Sequence, residues 1–108
     1  MAATKNELQR GRPADSVGIK VPAGRIAAGR VHWQTLLDAR DKPRIYRIFN
    51  APARGGAGNA LTVEADGPRR RHRVDPGASI DVMGKTIRVR AGTGGKTATV
   101  EGWYVLVS

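Results

Sequence analysis

The sequence predicts an all-β protein, a small antiparallel β-sandwich or barrel carrying an extended N-terminal arm. Three observations lead there. From Pro43 onward, short runs of alternating apolar and polar residues are separated by turn residues about every ten positions, the cadence of a sandwich or small barrel. No stretch after Asn50 repeats its apolar residues with a helical period. Before residue 30, Gly11, Pro13, Gly18, Pro22, Gly24 and Gly29 interrupt any helix of useful length. The expected division is therefore a flexible basic arm over 1–30 and a β-sandwich domain over 31–108.

Within the arm, Val17, Ile19 and Val21 alternate with Gly18 and Lys20, which predicts one short strand laid against a neighbour. The arm carries Arg10, Arg12, Arg25, Arg30, Lys5 and Lys20 against Glu7 and Asp15. A segment that polar has little core of its own and is expected to order on contact with another body. From Arg30 the period becomes strand-like, with Val31, Trp33 and Thr35 alternating with His32 and Gln34. Leu36 to Arg40 fits either a continued strand or a helical turn. Asp41-Lys42-Pro43 signals a turn, and Arg44 to Asn50 is apolar on both faces, a buried strand with Arg44 and Arg47 leaning outward.

Ala51 to Asn59 holds Pro52, Gly55, Gly56 and Gly58 and is expected to loop. Leu61, Val63 and Ala65 alternate with Thr62 and Glu64 as a strand, and Asp66-Gly67-Pro68 turns the chain. Arg69 to Val74 reads as a charged edge strand. Val74-Asp75-Pro76-Gly77 is a further turn, in which Pro presets its φ and Gly is free to take positive φ. Ile80 and Val82 begin a hairpin that turns tightly at Met83-Gly84-Lys85 and returns through Ile87, Val89 and Ala91. Gly92 to Gly95 is another turn, and Ala98 and Val100 lead into the strand ending at Val107. Tyr46, Phe49 and Trp103, in apolar strands, are expected in the core.

Composition bounds the function. Of the apolar residues, 15 are Ala, and only 18 larger apolar side chains lie between Pro43 and Ser108. So small a core predicts oligomerisation or docking on a larger body, not a free-standing catalyst. The net charge is +10 with a pI near 11.3, and 14 of the 19 cations are Arg. Arg makes planar, bidentate contacts with carboxylate or phosphate, so an acidic protein surface or nucleic acid fits as partner. Cysteine is absent, which removes disulfides and thiolate metal sites. The first twelve residues lack the apolar stretch of a secretory signal, and the longest strongly apolar run, Trp103 to Val107, is too short to cross a bilayer. A soluble protein made in the cytoplasm, with no membrane partner, is expected.

Motifs for chemistry are thin. Gly94-Gly95-Lys96-Thr97 and Gly84-Lys85-Thr86 echo the end of a phosphate-binding loop, but Arg90 and Ser79 stand where its first glycine is required. Both are read as hairpin turns. His32 and His72, forty residues apart, are expected as solvent-exposed strand residues and not as metal ligands. Nucleophile, base and oxyanion donors do not assemble around Ser79, Asp75 or Asp81. The expectation is no catalytic residue, no metal and no cofactor.

The conspicuous candidate is Arg69, Arg70, Arg71 and Arg73, four arginines in five residues. A buried strand cannot carry them unpaired, so the segment is expected at an exposed edge. Edge charges discourage sheet-to-sheet aggregation, but four exceed that need, and contact with phosphate or acidic side chains is the preferred reading. The arm cations Arg10, Arg12, Lys20, Arg25 and Arg30 join this contact set. None of the five aromatics lies inside the arginine cluster. Any nucleic-acid contact is therefore expected to be electrostatic and non-specific, weakening steeply with salt.

The cadence Leu61-Thr62-Val63, then Val74-Asp75-Pro76-Gly77-Ala78-Ser79-Ile80-Asp81-Val82, then Gly102-Trp103-Tyr104 resembles the small β-sandwich accessory proteins of tailed bacteriophage virions, such as decoration, collar or fibre-base components. The resemblance covers under half of the chain. It implies a structural protein of the virion, made in the host bacterial cytoplasm, that binds other structural proteins of the assembly and copies of itself. The strong positive charge departs from many exposed virion proteins and suits a place against an acidic capsid surface or near packaged DNA. The expected function is thus non-enzymatic assembly, with a basic nucleic-acid-binding accessory protein as the alternative.

Overall fold

A computed structural model of the chain describes residues 14–37, 42–51, 60–91 and 99–108. These residues form eight strands: β1 (Val17–Val21), β2 (Gln34–Leu37), β3 (Arg44–Asn50), β4 (Leu61–Ala65), β5 (Arg71–Val74), β6 (Ser79–Gly84), β7 (Ile87–Ala91) and β8 (Val100–Leu106), with a short 3-10 turn at Ala27–Gly29. They pair antiparallel in two four-stranded sheets, ordered β1-β8-β3-β6 and β2-β7-β4-β5. The sheets pack face to face, and the all-β sandwich expected from the alternation is the fold.

Alternation decides what lies between the sheets. Ile19 and Val21 of β1, Ile48 of β3, Val82 of β6 and Val100 of β8 meet Leu61, Val63 and Ala65 of β4, Val74 of β5, and Ile87 and Val89 of β7. Tyr46, Ile80, Ala91 and Tyr104 pack at the margin of this core. In β2 both Leu36 and Leu37 are buried, which strict alternation forbids. A register shift between Thr35 and Leu37 explains it: Leu36 is the extra residue of a β-bulge and turns inward beside its neighbour.

Three polar or backbone devices fix the ends of the sandwich. Asn50, buried on β3, donates from Nδ2 to the Val74 carbonyl of the opposite sheet at 2.9 Å. Its own N–H and carbonyl bind Ala78 and Gly77, closing the turn between β5 and β6. Asp66, at φ 56°, accepts from the Lys85 and Thr86 N–H groups at 2.9 Å each, which ties the β4–β5 turn to the connection between β6 and β7. Those N–H groups serve a protein carboxylate, but Met83-Gly84-Lys85 is not the hairpin turn expected: β6 pairs with β3 while β7 pairs with β2 and β4, so the chain crosses here from one sheet to the other. Gly102 lies opposite Asn50 where β8 pairs with β3, and a Cβ there would run into the Phe49 carbonyl.

Several expectations change. The flexible arm expected over 1–30 does not extend through residues 17–21, which pair along β8 and bury Ile19 and Val21 to 2% and 1% exposure. The short strand predicted there finds its neighbour within the chain. Residues 1–13, including Arg10 and Arg12, lie outside the described residues, as do 38–41, 52–59 and the Gly94-Gly95-Lys96-Thr97 turn. The strand expected from Val31 begins at Gln34, and Val31 instead makes an isolated bridge with Arg25. His32 and His72 are half-buried, not solvent-exposed. Phe49 and Trp103 stand on the outer face of their sheet, since their neighbours Ile48 and Asn50, and Gly102 and Tyr104, take the inward positions.

Candidate functional site

The outer face of the β2-β7-β4-β5 sheet concentrates the unusual chemistry. Leu61, Val63 and Ala65 point into the core, so Thr62 and Glu64 point out. Likewise Ile87 and Val89 send Arg88 and Arg90 outward, and Val74 sends Arg71 and Arg73 outward. Register aligns these side chains in two rows across the sheet. One row runs Thr35, Arg88, Glu64, Arg71, and the next runs Arg90, Thr62, Arg73. Trp33, one residue before β2, completes the second row and lies against the arginines.

Trp33 is the centre of a cationic stack. The guanidinium carbons of Arg88, Arg90 and Arg71 lie 4.1, 5.0 and 5.6 Å from its ring centroid. Each lies within the distance at which a ring's electron-rich face attracts a cation. Beneath them Glu64 is 3% exposed and accepts from Arg88 Nε at 2.6 Å and Arg71 Nε at 2.8 Å. The hydrogen bond from Arg88 is the largest influence on its carboxyl and holds it below the usual carboxylate range. Burial opposes that shift, and Arg71 reinforces it. A buried carboxylate survives here because two guanidinium groups share it.

The contacts leave donors over. Glu64 engages Arg71 and Arg88 through Nε alone, so among the described residues their terminal amino groups make no further hydrogen bond. Arg90 has no acidic partner among those residues, and its buried Nε has no hydrogen-bond acceptor. On the opposite sheet Arg47 binds Asp81 in the fork-like manner, through Nε at 2.7 Å and Nη2 at 3.0 Å. That pair raises the Arg47 guanidinium's affinity for its proton and lowers the Asp81 carboxyl.

The predicted contact residues are only partly brought together. Arg71 and Arg73 share the face, with Arg73 paired to exposed Asp75 at 2.8 Å. Arg69 and Arg70 stand instead in the β4–β5 turn, where Arg70 donates to the Met83 carbonyl at 2.7 Å and lies 3.6 Å from Asp66. Lys20 lies on the other sheet opposite Glu101, Arg25 donates to the Gly29 carbonyl, and the Arg30 carbonyl accepts from Ile26. The four-arginine run is therefore not one surface. Arg88, Arg90, Trp33 and Glu64 were absent from the predicted set. The alternation Ile87-Arg88-Val89-Arg90 puts two cations on one face, but that β7 lies next to Trp33 is a matter of strand order, which alternation does not encode.

The other outer face has a different character. On β3, β6 and β8, Ile45, Phe49, Met83, Trp103 and Val105 alternate outward, around the Arg47–Asp81 pair. Phe49 and Trp103 meet edge to face with ring centroids 6.5 Å apart. Fold and faces together define the class: a two-sheet antiparallel sandwich, apolar and charge-balanced on one outer face, arginine-rich on the other. Comparison of the chain with family models, with curated proteins and with solved structures finds no match.

Proposed function

We propose that this chain is a non-enzymatic structural protein that docks on a larger assembly, beginning with copies of itself, as an accessory component of a phage virion does. The observation that carries this reading is the outer face of the β1-β8-β3-β6 sheet. Five large apolar side chains share it, and Met83 among them is 48% exposed. Contiguous apolar surface of this kind marks protein contact. Its charges also balance, with Arg47 bound to Asp81 and Lys20 opposite Glu101. In a chain of net charge +10, a balanced face is where two copies approach with least repulsion.

The small core supports the same reading, because a sandwich with few large buried side chains gains stability from association. Sedimentation velocity across a concentration series tests it. The expected result is a mass above the 11.6 kDa monomer that collapses to the monomer in Phe49→Lys and Val105→Lys variants with unchanged circular dichroism. A protein that stays monomeric at every concentration overturns the reading.

A further inference from the structure

We propose that the Trp33 face is a binding surface for single-stranded nucleic acid, separate from the docking face on the opposite sheet. Four arginines stand on it, Arg71, Arg73, Arg88 and Arg90, against Glu64 and Asp75, which leaves a surplus of two positive charges. Glu64 and Trp33 act on the arginines as a frame. Glu64 fixes Arg71 and Arg88 by their Nε atoms and leaves their terminal amino groups to a ligand, while Trp33 holds the Arg88 and Arg90 guanidinium groups by its ring. Guanidinium groups held in place lose less rotamer freedom on binding, and their unused forked donors match phosphate oxygens.

The planar groups choose between anions. An acidic protein segment would use the donors and gain nothing from an indole stacked among guanidinium planes. A single strand uses both, since phosphates meet the donors and unstacked bases extend the stack of ring and guanidinium. A duplex keeps its bases stacked inside and offers phosphates alone. Thr62, between Arg73 and Arg90 in the second row, adds a hydroxyl on the same face. The geometry thus combines a phosphate track with a stacking platform, the pairing that sequence-tolerant strand binders use.

The chain has two tryptophans, so Trp103→Phe leaves Trp33 as its sole indole reporter. In that background, titration with an oligothymidylate single strand is expected to quench Trp33 emission. The affinity should fall with salt with a log–log slope of about −2, for roughly three phosphate contacts. Arg90→Ala, which removes no ion pair among the described residues, should weaken binding about tenfold and lessen the slope by about 0.7. Arg71→Lys keeps the charge but loses the fork, and should weaken binding with the slope retained. Silence of Trp33 emission, wild-type binding by Arg90→Ala, or equal affinity for the matching duplex overturns the proposal. So does equal competition by polyglutamate, which would reassign the face to an acidic protein partner.

Discussion

Glu64 shows how much of this fold rests on a single polar residue. At 3% exposure an unpaired carboxylate would cost several kcal/mol, and the arginines on both flanking strands make the position tolerable. Because the folded carboxyl sits below its unfolded value, its contribution to stability is present above the ordinary carboxyl pKa of about 4.3 and is lost as pH falls through the lower, folded value. Chemical denaturation from neutral pH downward should therefore lose stability below about pH 4. Glu64→Gln should be less stable than wild type at neutral pH by about 1–2 kcal/mol, a figure reduced because both arginines are more than a third exposed. Its acid limb should be shallower, with Asp81 supplying part of what remains. An unchanged acid limb would show that Glu64 is not the group being protonated. Gly102 is the second sensitive residue. Any Cβ there meets the Phe49 carbonyl, which sits in the β3 ladder and cannot swing aside, so Gly102→Ala should cost about 3 kcal/mol in urea unfolding.

At the scale of elements, β1 carries the clearest consequence. It supplies Ile19 and Val21 to the core and covers the edge of β8. The chain lacking residues 1–12 serves as the reference in urea unfolding. Deleting residues 1–21 should lower stability by about 3 kcal/mol from the lost burial of two side chains and expose β8 to aggregation. Equal midpoints for the two truncations would mean that β1 contributes nothing to the sandwich. The same element shows where sequence reading stops. The spans of β3, β4 and β7 were legible because alternation, flanking turns and β-forming residues coincide there. β1 was legible as a strand but not as part of the sandwich, because its partner lies about eighty residues away and pairing over that distance leaves no local mark. The faces of β3 were ambiguous for another reason: Ile45, Tyr46, Ile48 and Phe49 make both sides apolar, so alternation alone did not say that Phe49 faces outward. The arginine cluster at Arg71 and Arg73 was visible in sequence. The Trp33 stack was not, since it joins residues from β5, β7 and the approach to β2.

For the whole molecule, the two outer faces lie on opposite sides of a two-layer sandwich, whose sheets pack about 10 Å apart. Side chains on the two faces are separated by the core, and separated sites of this kind contribute nearly additively. Phe49→Lys should abolish self-association while leaving oligothymidylate quenching of Trp33 intact in the Trp103→Phe background. Arg90→Ala should do the reverse, weakening the strand and sparing the oligomer. Combined in one chain, the two substitutions should give both losses, and their changes in unfolding free energy should sum to within roughly 0.5 kcal/mol. A strand affinity that falls together with oligomer mass in Phe49→Lys would mean that the arginine face works only when copies of it are held side by side. The sandwich would then act as one cooperative surface, and the independence of its two faces would be lost.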